Sequence, residues 1–187
     1  MNKFKTIGVL GGMGPCASAY FYQLLLTSAQ QRYGAVQDED YPHIIINSIA
    51  LSGSNEFGME ENNLIKTQLI GGIRLLEKAN VDFIVIACNS VHNCLQELQK
   101  VSKVPIISII ENVVDQVKIS HSKKILILSS ETTDKYGLYD NLSQEGVKIV
   151  KPDAKLQKEI TRLILSVMGG QNGNIFKEKI MDRINAL

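Results

Sequence analysis

Three short segments carry residue types able to do chemistry, and each follows a run that reads as a buried strand. The sharpest is Ala87-Cys88-Asn89-Ser90-Val91-His92. A cysteine between a strand and the start of the next helix feels the positive end of that helix. This lowers its pKa from the free value of about 8.5 and makes a thiolate available near neutral pH. Asn89 and Ser90 are cap-forming types whose N–H groups and side chains also suit a carboxylate. The other role open to Cys88 is that of a small buried hydrophobe, which is also the role read for Cys16 and Cys94 inside predicted helices. The second segment, Gly11-Gly12-Met13-Gly14-Pro15, brings backbone N–H groups close to an anion at a helix start, or simply makes a tight strand-to-helix turn. The third, Ser129-Ser130-Glu131-Thr132-Thr133, offers hydroxyls that bind a carboxylate or amine, or cap the next helix. Farther on, Lys158 is either a cation for an acidic substrate or an ordinary solvated lysine.

Other chemistries fit less well. Gly12 to Ala17 reads as GxGxxA, but the second strand ends in Ser48-Ile49-Ala50-Leu51-Ser52 with no carboxylate for a ribose, which argues against a nicotinamide cofactor. Cys88, His92 and Cys94 supply too few ligands, split between a turn and a helix, for a zinc site, and His92 reads as a capping or supporting residue. No GxSxG elbow is present for a serine hydrolase. The sequence therefore predicts no metal and no cofactor.

The scaffold that must place these segments is legible in the apolar pattern. The 187 residues carry a formal charge of +1, which offers no basic field for nucleic acid or anionic lipid. No apolar run approaches the roughly 18 residues of a membrane span. Three widely spaced cysteines without a CxxC suit reduced thiols, so a cytoplasmic protein is expected. Short apolar runs alternate with helical spacing, the mark of an α/β protein with a mainly parallel sheet. Strands are expected at Thr6–Leu10, His43–Ile49, Asp82–Ala87 and Pro105–Ile110, then at Lys124–Ser130 and Lys148–Val150. The first helix should bury Ala17, Tyr20, Phe21, Leu24 and Leu25. The second should bury Leu64, Ile65, Leu69, Ile70, Ile73 and Leu76. Leu51–Asn63 reads as a mobile loop. Helices are also expected over His92–Lys100, Glu111–Ile119, Thr133–Ser143 and Ala154–Met168. After the Gly169–Gly173 stop, a last helix aligns Phe176, Ile180, Ile184 and Leu187. A helix in such a series normally feeds a further strand, so at least one strand is expected beyond Leu187. Residues 1–115 read as one α/β domain carrying Cys88, and 116–187 as a second, similar one, incomplete within this length.

Taken together, IGVLGGMGP at 7–15, DFIVIACNSVH at 82–92, PIISIIE at 105–111, ILILSSETT at 125–133 and LQKE at 156–159 resemble the aspartate/glutamate racemase family, most closely its aspartate racemase branch. The resemblance runs in order along essentially the whole chain. It implies two similar parallel-sheet α/β domains facing across a cleft, no pyridoxal phosphate, and a homodimer. It also implies a mechanism in which one thiolate removes the Cα proton and a second cysteine returns a proton to the other face, with Cys88 as one of the pair. The family's carboxylate-binding groups fall on Met13, Gly14, Asn89 and Ser90, and its hydroxyl contacts on Ser130 and Thr133. Its lysine falls on Lys158, facing a side-chain carboxylate. The family's arginine after the second strand has no counterpart in Ile49–Asn55. Its second cysteine lies in a GCTE-like segment that neither Cys16 nor Cys94 matches. The leading expectation is a cofactor-independent racemase of aspartate. The alternatives are a chain that binds a dicarboxylate or amino acid without catalysis, and an isomerase or decarboxylase of dicarboxylic acids on the same fold.

Overall fold

The computed structural model describes residues 4–55, 58–59, 63–171 and 174–184. Two compact units are present: the described residues up to Gly53 with 63–109 form one, and 54–55, 58–59 and those from Ile110 onward form the other. The expected mobile loop at 51–63 falls partly on residues 56, 57 and 60–62, outside the described residues. So do Asn172, Gly173, Leu187 and the side chain of Phe176.

In the first unit β1 (Ile7–Gly11) leads into α1 (Pro15–Tyr33), then through a 3-10 turn to β2 (Ile44–Ser48). A short antiparallel pair, β3 (Ser54–Asn55) and β4 (Gly58–Met59), groups with the second unit and lies where the sequence predicts only loop. The first unit resumes with α2 (Asn63–Lys78), β5 (Phe83–Ile86), a 3-10 turn at Ser90–Cys94, α3 (Leu95–Val101) and β6 (Ile106–Ile107). All four strands of its sheet are parallel, in the order β2-β1-β5-β6. The two central strands are therefore the ones covered on both faces. Val9, Leu10, Ile84 and Ile86 are fully buried, which is why these segments read as unbroken apolar runs.

On α2 the buried set is Ile65, Leu69, Ile73 and Leu76, while Leu64 stays about half exposed and Ile70 is only partly buried. α1 departs further from the expected face. Its buried residues are Ser18 and Ala29; Phe21 and Leu25 are half-buried, and Ala17, Tyr20 and Leu24 are exposed. Ser18 is drawn inward by two polar bonds to the preceding loop, and this turns the apolar residues beside it outward.

The second unit begins in α4 (Ile109–Ile119), continues through β7 (Lys124–Leu126), α5 (Glu131–Lys135), a 3-10 turn at Asp140–Glu145 and β8 (Lys148–Val150), and ends in α6 (Ala154–Met168) and α7 (Asn174–Ile184). β7 and β8 pair in parallel. The single helix expected over Thr133–Ser143 is broken at Gly137, whose φ of +57° suits glycine and ends the helical run. Val114, Leu142 and Val147 form one apolar cluster, and Leu156, Ile160 and Ile180 form another between α6 and α7.

Asp153 caps α6, accepting from the Leu156 N–H at 2.7 Å, and pairs with Arg183 of α7 at 2.8 Å. The backbone bond from Leu156, then the Arg183 guanidinium, hold its carboxyl below the ordinary value of 3.8. A depressed folded-state pKa contributes stability that is present above the unfolded value and is lost as pH falls through the folded one. We expect wild type to melt slightly above Asp153→Asn at neutral pH, with the gap closing below about pH 4. A gap in Tm that stays constant down to pH 3 would count against this linkage.

Candidate active site

β1 and β5 are neighbours with Leu10 opposite Ile86, and the Ala87 N–H donates to the Leu10 carbonyl at 3.0 Å. The turns that follow the two strands, Gly11–Pro15 and Ala87–Ser90, thus leave the carboxyl edge of the sheet side by side. That edge is where open α/β sheets bind ligands. In the first turn Gly12 has φ +94°, and Ile49 donates its N–H to the Gly11 carbonyl at 3.0 Å. Ser18, one turn into α1, accepts the Gly12 N–H on Oγ at 2.9 Å and donates to the Gly14 carbonyl at 3.2 Å. Sequence reasoning passed over Ser18, although a serine one turn into a helix, just after a glycine loop, is placed to bond back to that loop. Gly14 is the N-cap and Pro15 opens α1, so Met13 and Gly14 sit at the start of a 19-residue helix where backbone N–H groups favour an anion.

Cys88 is half-buried at the end of β5. The helix expected to begin near His92 is different in kind: five residues of 3-10 helix, Ser90–Cys94, precede the seven of α3. The short helix expected to face Cys88 is therefore entered through a 3-10 turn, and only its last seven residues are α-helical. Asn89 is the N-cap of that turn but makes no side-chain cap bond, contrary to the expected capping role. His92 is 6% exposed; its Nδ1 lies 2.8 Å from the Cys88 carbonyl, and its Nε2 accepts the Ile109 N–H at 3.2 Å.

The remaining expected site residues lie in the second unit. Ser130 is the N-cap of α5: its Oγ accepts the Thr133 N–H at 3.3 Å and lies 3.2 Å from Thr133 Oγ1. The Ser130 hydroxyl therefore has a capping role, with the Thr133 hydroxyl beside it. Gln157 of α6 donates to the Ser129 carbonyl at 3.0 Å, which brings the residue next to Lys158 onto this turn. Thr161 donates to Glu131 at 3.3 Å, a second tie from α6 that the sequence did not disclose. Lys158 itself is exposed. The site residues thus divide into two sets, Met13, Gly14, Cys88, Asn89 and Ser90 in one unit, and Ser130, Thr133 and Lys158 in the other.

Of the other cysteines, Cys94 is buried, and that burial pushes its thiol above the ordinary range. Cys16 lies in α1 as expected but is exposed rather than buried, because the helix presents its Ser18 side to the core. Among the described residues there is no group of three His, Cys, Asp or Glu side chains able to hold a metal ion. No described helix is long and apolar enough to cross a membrane.

Comparison with known proteins adds to this geometry. The family model for Asp/Glu/hydantoin racemases matches residues 10–187. The broad-specificity amino-acid racemase RacX of Bacillus subtilis (strain 168) is 30% identical over 162 residues, 86% of this chain and 70% of that protein. An aspartate racemase homologue from Pyrococcus horikoshii OT3 superimposes with a TM-score of 0.71 at 27% identity, covering 90% of this chain and 74% of the other. The aspartate racemase of Picrophilus torridus shares the fold with a TM-score of 0.82 at 24% identity, over 98% of this chain and 76% of its own.

Proposed function

The chain belongs to the Asp/Glu/hydantoin racemase family, as an amino-acid racemase independent of pyridoxal phosphate, and from that premise we propose that it acts on aspartate with the Cys88 thiolate as base. The observation that carries this reading is the Ala87-to-Leu10 bond, which sets the Cys88 turn beside the Gly11–Pro15 turn. Backbone N–H groups of Met13, Gly14, Asn89 and Ser90 bind the α-carboxylate, and Cys88 takes the Cα proton. The C–H bond breaks, an S–H bond forms, and the electron pair left on Cα spreads into the carboxylate. On this reading, N–H groups held in place by the two turns stabilise the added charge with little reorganisation. Inversion is complete when an acid on the opposite face returns a proton, the role that the family resemblance gives to a second cysteine.

Incubation with each enantiomer of aspartate and glutamate in deuterated water tests this reading. Deuterium at Cα is expected with aspartate, and its absence from all four substrates would overturn it. Binding seen by calorimetry without exchange would instead favour a ligand-binding chain. A wider substrate range is the second reading, favoured by the likeness to RacX and by the lack of an arginine in Ile49–Asn55. Exchange of comparable rate into uncharged amino acids would support it.

We assign Lys158 to the side-chain carboxylate of the substrate. A charge-assisted hydrogen bond contributes about 1.5–3 kcal/mol, so Lys158→Ala should raise KM for aspartate roughly tenfold or more and leave kcat nearly unchanged. An unaltered KM would return Lys158 to the role of a solvated surface residue.

A further inference from the structure

We propose that His92 is a positioning residue that fixes the peptide plane after Cys88; the catalytic part of this inference rests on the Cys88 reading above. A carbonyl oxygen only accepts and a backbone N–H only donates, so the two contacts assign the ring. Nδ1 carries the hydrogen and donates to Cys88, and Nε2 is the bare nitrogen that takes the Ile109 N–H. The ring is thus the neutral Nδ1–H tautomer with both nitrogens engaged, which leaves it no bare nitrogen to deprotonate the thiol or to bind a metal.

In an α-helix the Cys88 carbonyl would accept from the backbone N–H of His92. Here that N–H goes to Asn89 at 2.9 Å, one residue short, and the imidazole occupies the vacated acceptor. The substitution holds the turn in its 3-10 form. It also joins the end of β5 to Ile109, the first residue of α4, whose N–H has no partner within its own helix. The peptide between Cys88 and Asn89 is planar and trans, so its carbonyl and the Asn89 N–H point in opposite directions. Anchoring the carbonyl on the buried imidazole turns the Asn89 N–H away from it and fixes the direction in which the Cys88 side chain leaves the backbone. One ring thereby sets both the proposed base and one of its proposed carboxylate donors.

Two variants separate the halves of this bridge. His92→Gln keeps an acceptor near the Nε2 position and loses the bond to Cys88, whereas His92→Asn keeps a donor near Nδ1 and loses the bond to Ile109. His92→Gln should stay folded while kcat for Cα exchange falls about 10–100-fold with little change in KM, the effect of a small misplacement of the reacting group. His92→Asn should melt lower yet retain more of kcat. Imidazole 15N spectra of the wild type, with the His92 signals identified by their loss in His92→Gln, should show Nδ1 protonated and Nε2 bare at neutral pH. An Nε2–H ring, a folded His92→Gln with full kcat, or losses of kcat that simply follow Tm in both variants would overturn the inference. A wild type without Cα exchange overturns the functional reading instead, and the spectra then decide the position of the ring independently.

Discussion

Cys88→Ser is expected to reduce Cα deuterium exchange by about 10²–10⁴-fold, the usual contribution of a positioned general base. The size of the loss follows from acidity rather than shape. A thiol with a free pKa of about 8.5 supplies a working fraction of anion near neutral pH, whereas a serine hydroxyl in the same place stays protonated. Serine is close to isosteric and Cys88 is only half-buried, so Tm should hold. Binding of the carboxylate should persist, because it is assigned to backbone N–H groups that the substitution leaves in place. Cys16→Ser provides the control: this thiol is exposed on α1 and has no assigned part in the reaction, so its loss should not change the rate. Exchange by Cys88→Ser within tenfold of wild type would move the base to another residue.

The parts of the molecule that were legible in the sequence are those dictated by burial on two faces and by turn chemistry. β1 and β5 are central strands, so their apolar runs are unbroken, and the residues that follow them fall at the carboxyl edge of the sheet. α6 was legible to its last residue because Asp153 caps it and Gly169 stops it. What escaped was decided by polar groups acting across the fold. Ser18 sets the rotation of α1 through bonds to Gly12 and Gly14, so a reading of hydrophobic spacing alone chose the wrong face. His92 turns the first part of the expected helix into a 3-10 turn by taking a carbonyl that the backbone would otherwise use. Spacing alone placed Ser130 and Thr133 after a strand. Capping of the next helix was one of the two roles open to them and is the one Ser130 fills, whereas the bond from Gln157 to Ser129 depends on α6 packing onto that turn and has no signal in the spacing.

Gly12→Ala should produce the largest loss of stability among single-methyl additions to the β1 turn. Two independent effects coincide there. The backbone is at φ +94°, where a residue with a Cβ is strained by about 1–3 kcal/mol. A Cβ built at that position also runs into the backbone oxygen and nitrogen of Ile49, which no rotamer change can move aside. Overpacking of this kind adds about 1–3 kcal/mol, so a total of about 2–6 kcal/mol is expected. Gly34→Ala separates the two contributions. Gly34 closes α1 at φ +65°, but its Cβ would enter open space, so only the conformational cost of about 1–2 kcal/mol applies. Because Ile49 is itself bonded to Gly11, the strain in Gly12→Ala is relieved only by shifting the turn, and the proposed carboxylate donors Met13 and Gly14 move with it. Loss of exchange activity should therefore accompany the drop in Tm for Gly12→Ala and be absent for Gly34→Ala. Equal losses of Tm in the two variants would show that the contact with Ile49 relaxes without cost and that the turn is less tightly held against β2 than its geometry implies.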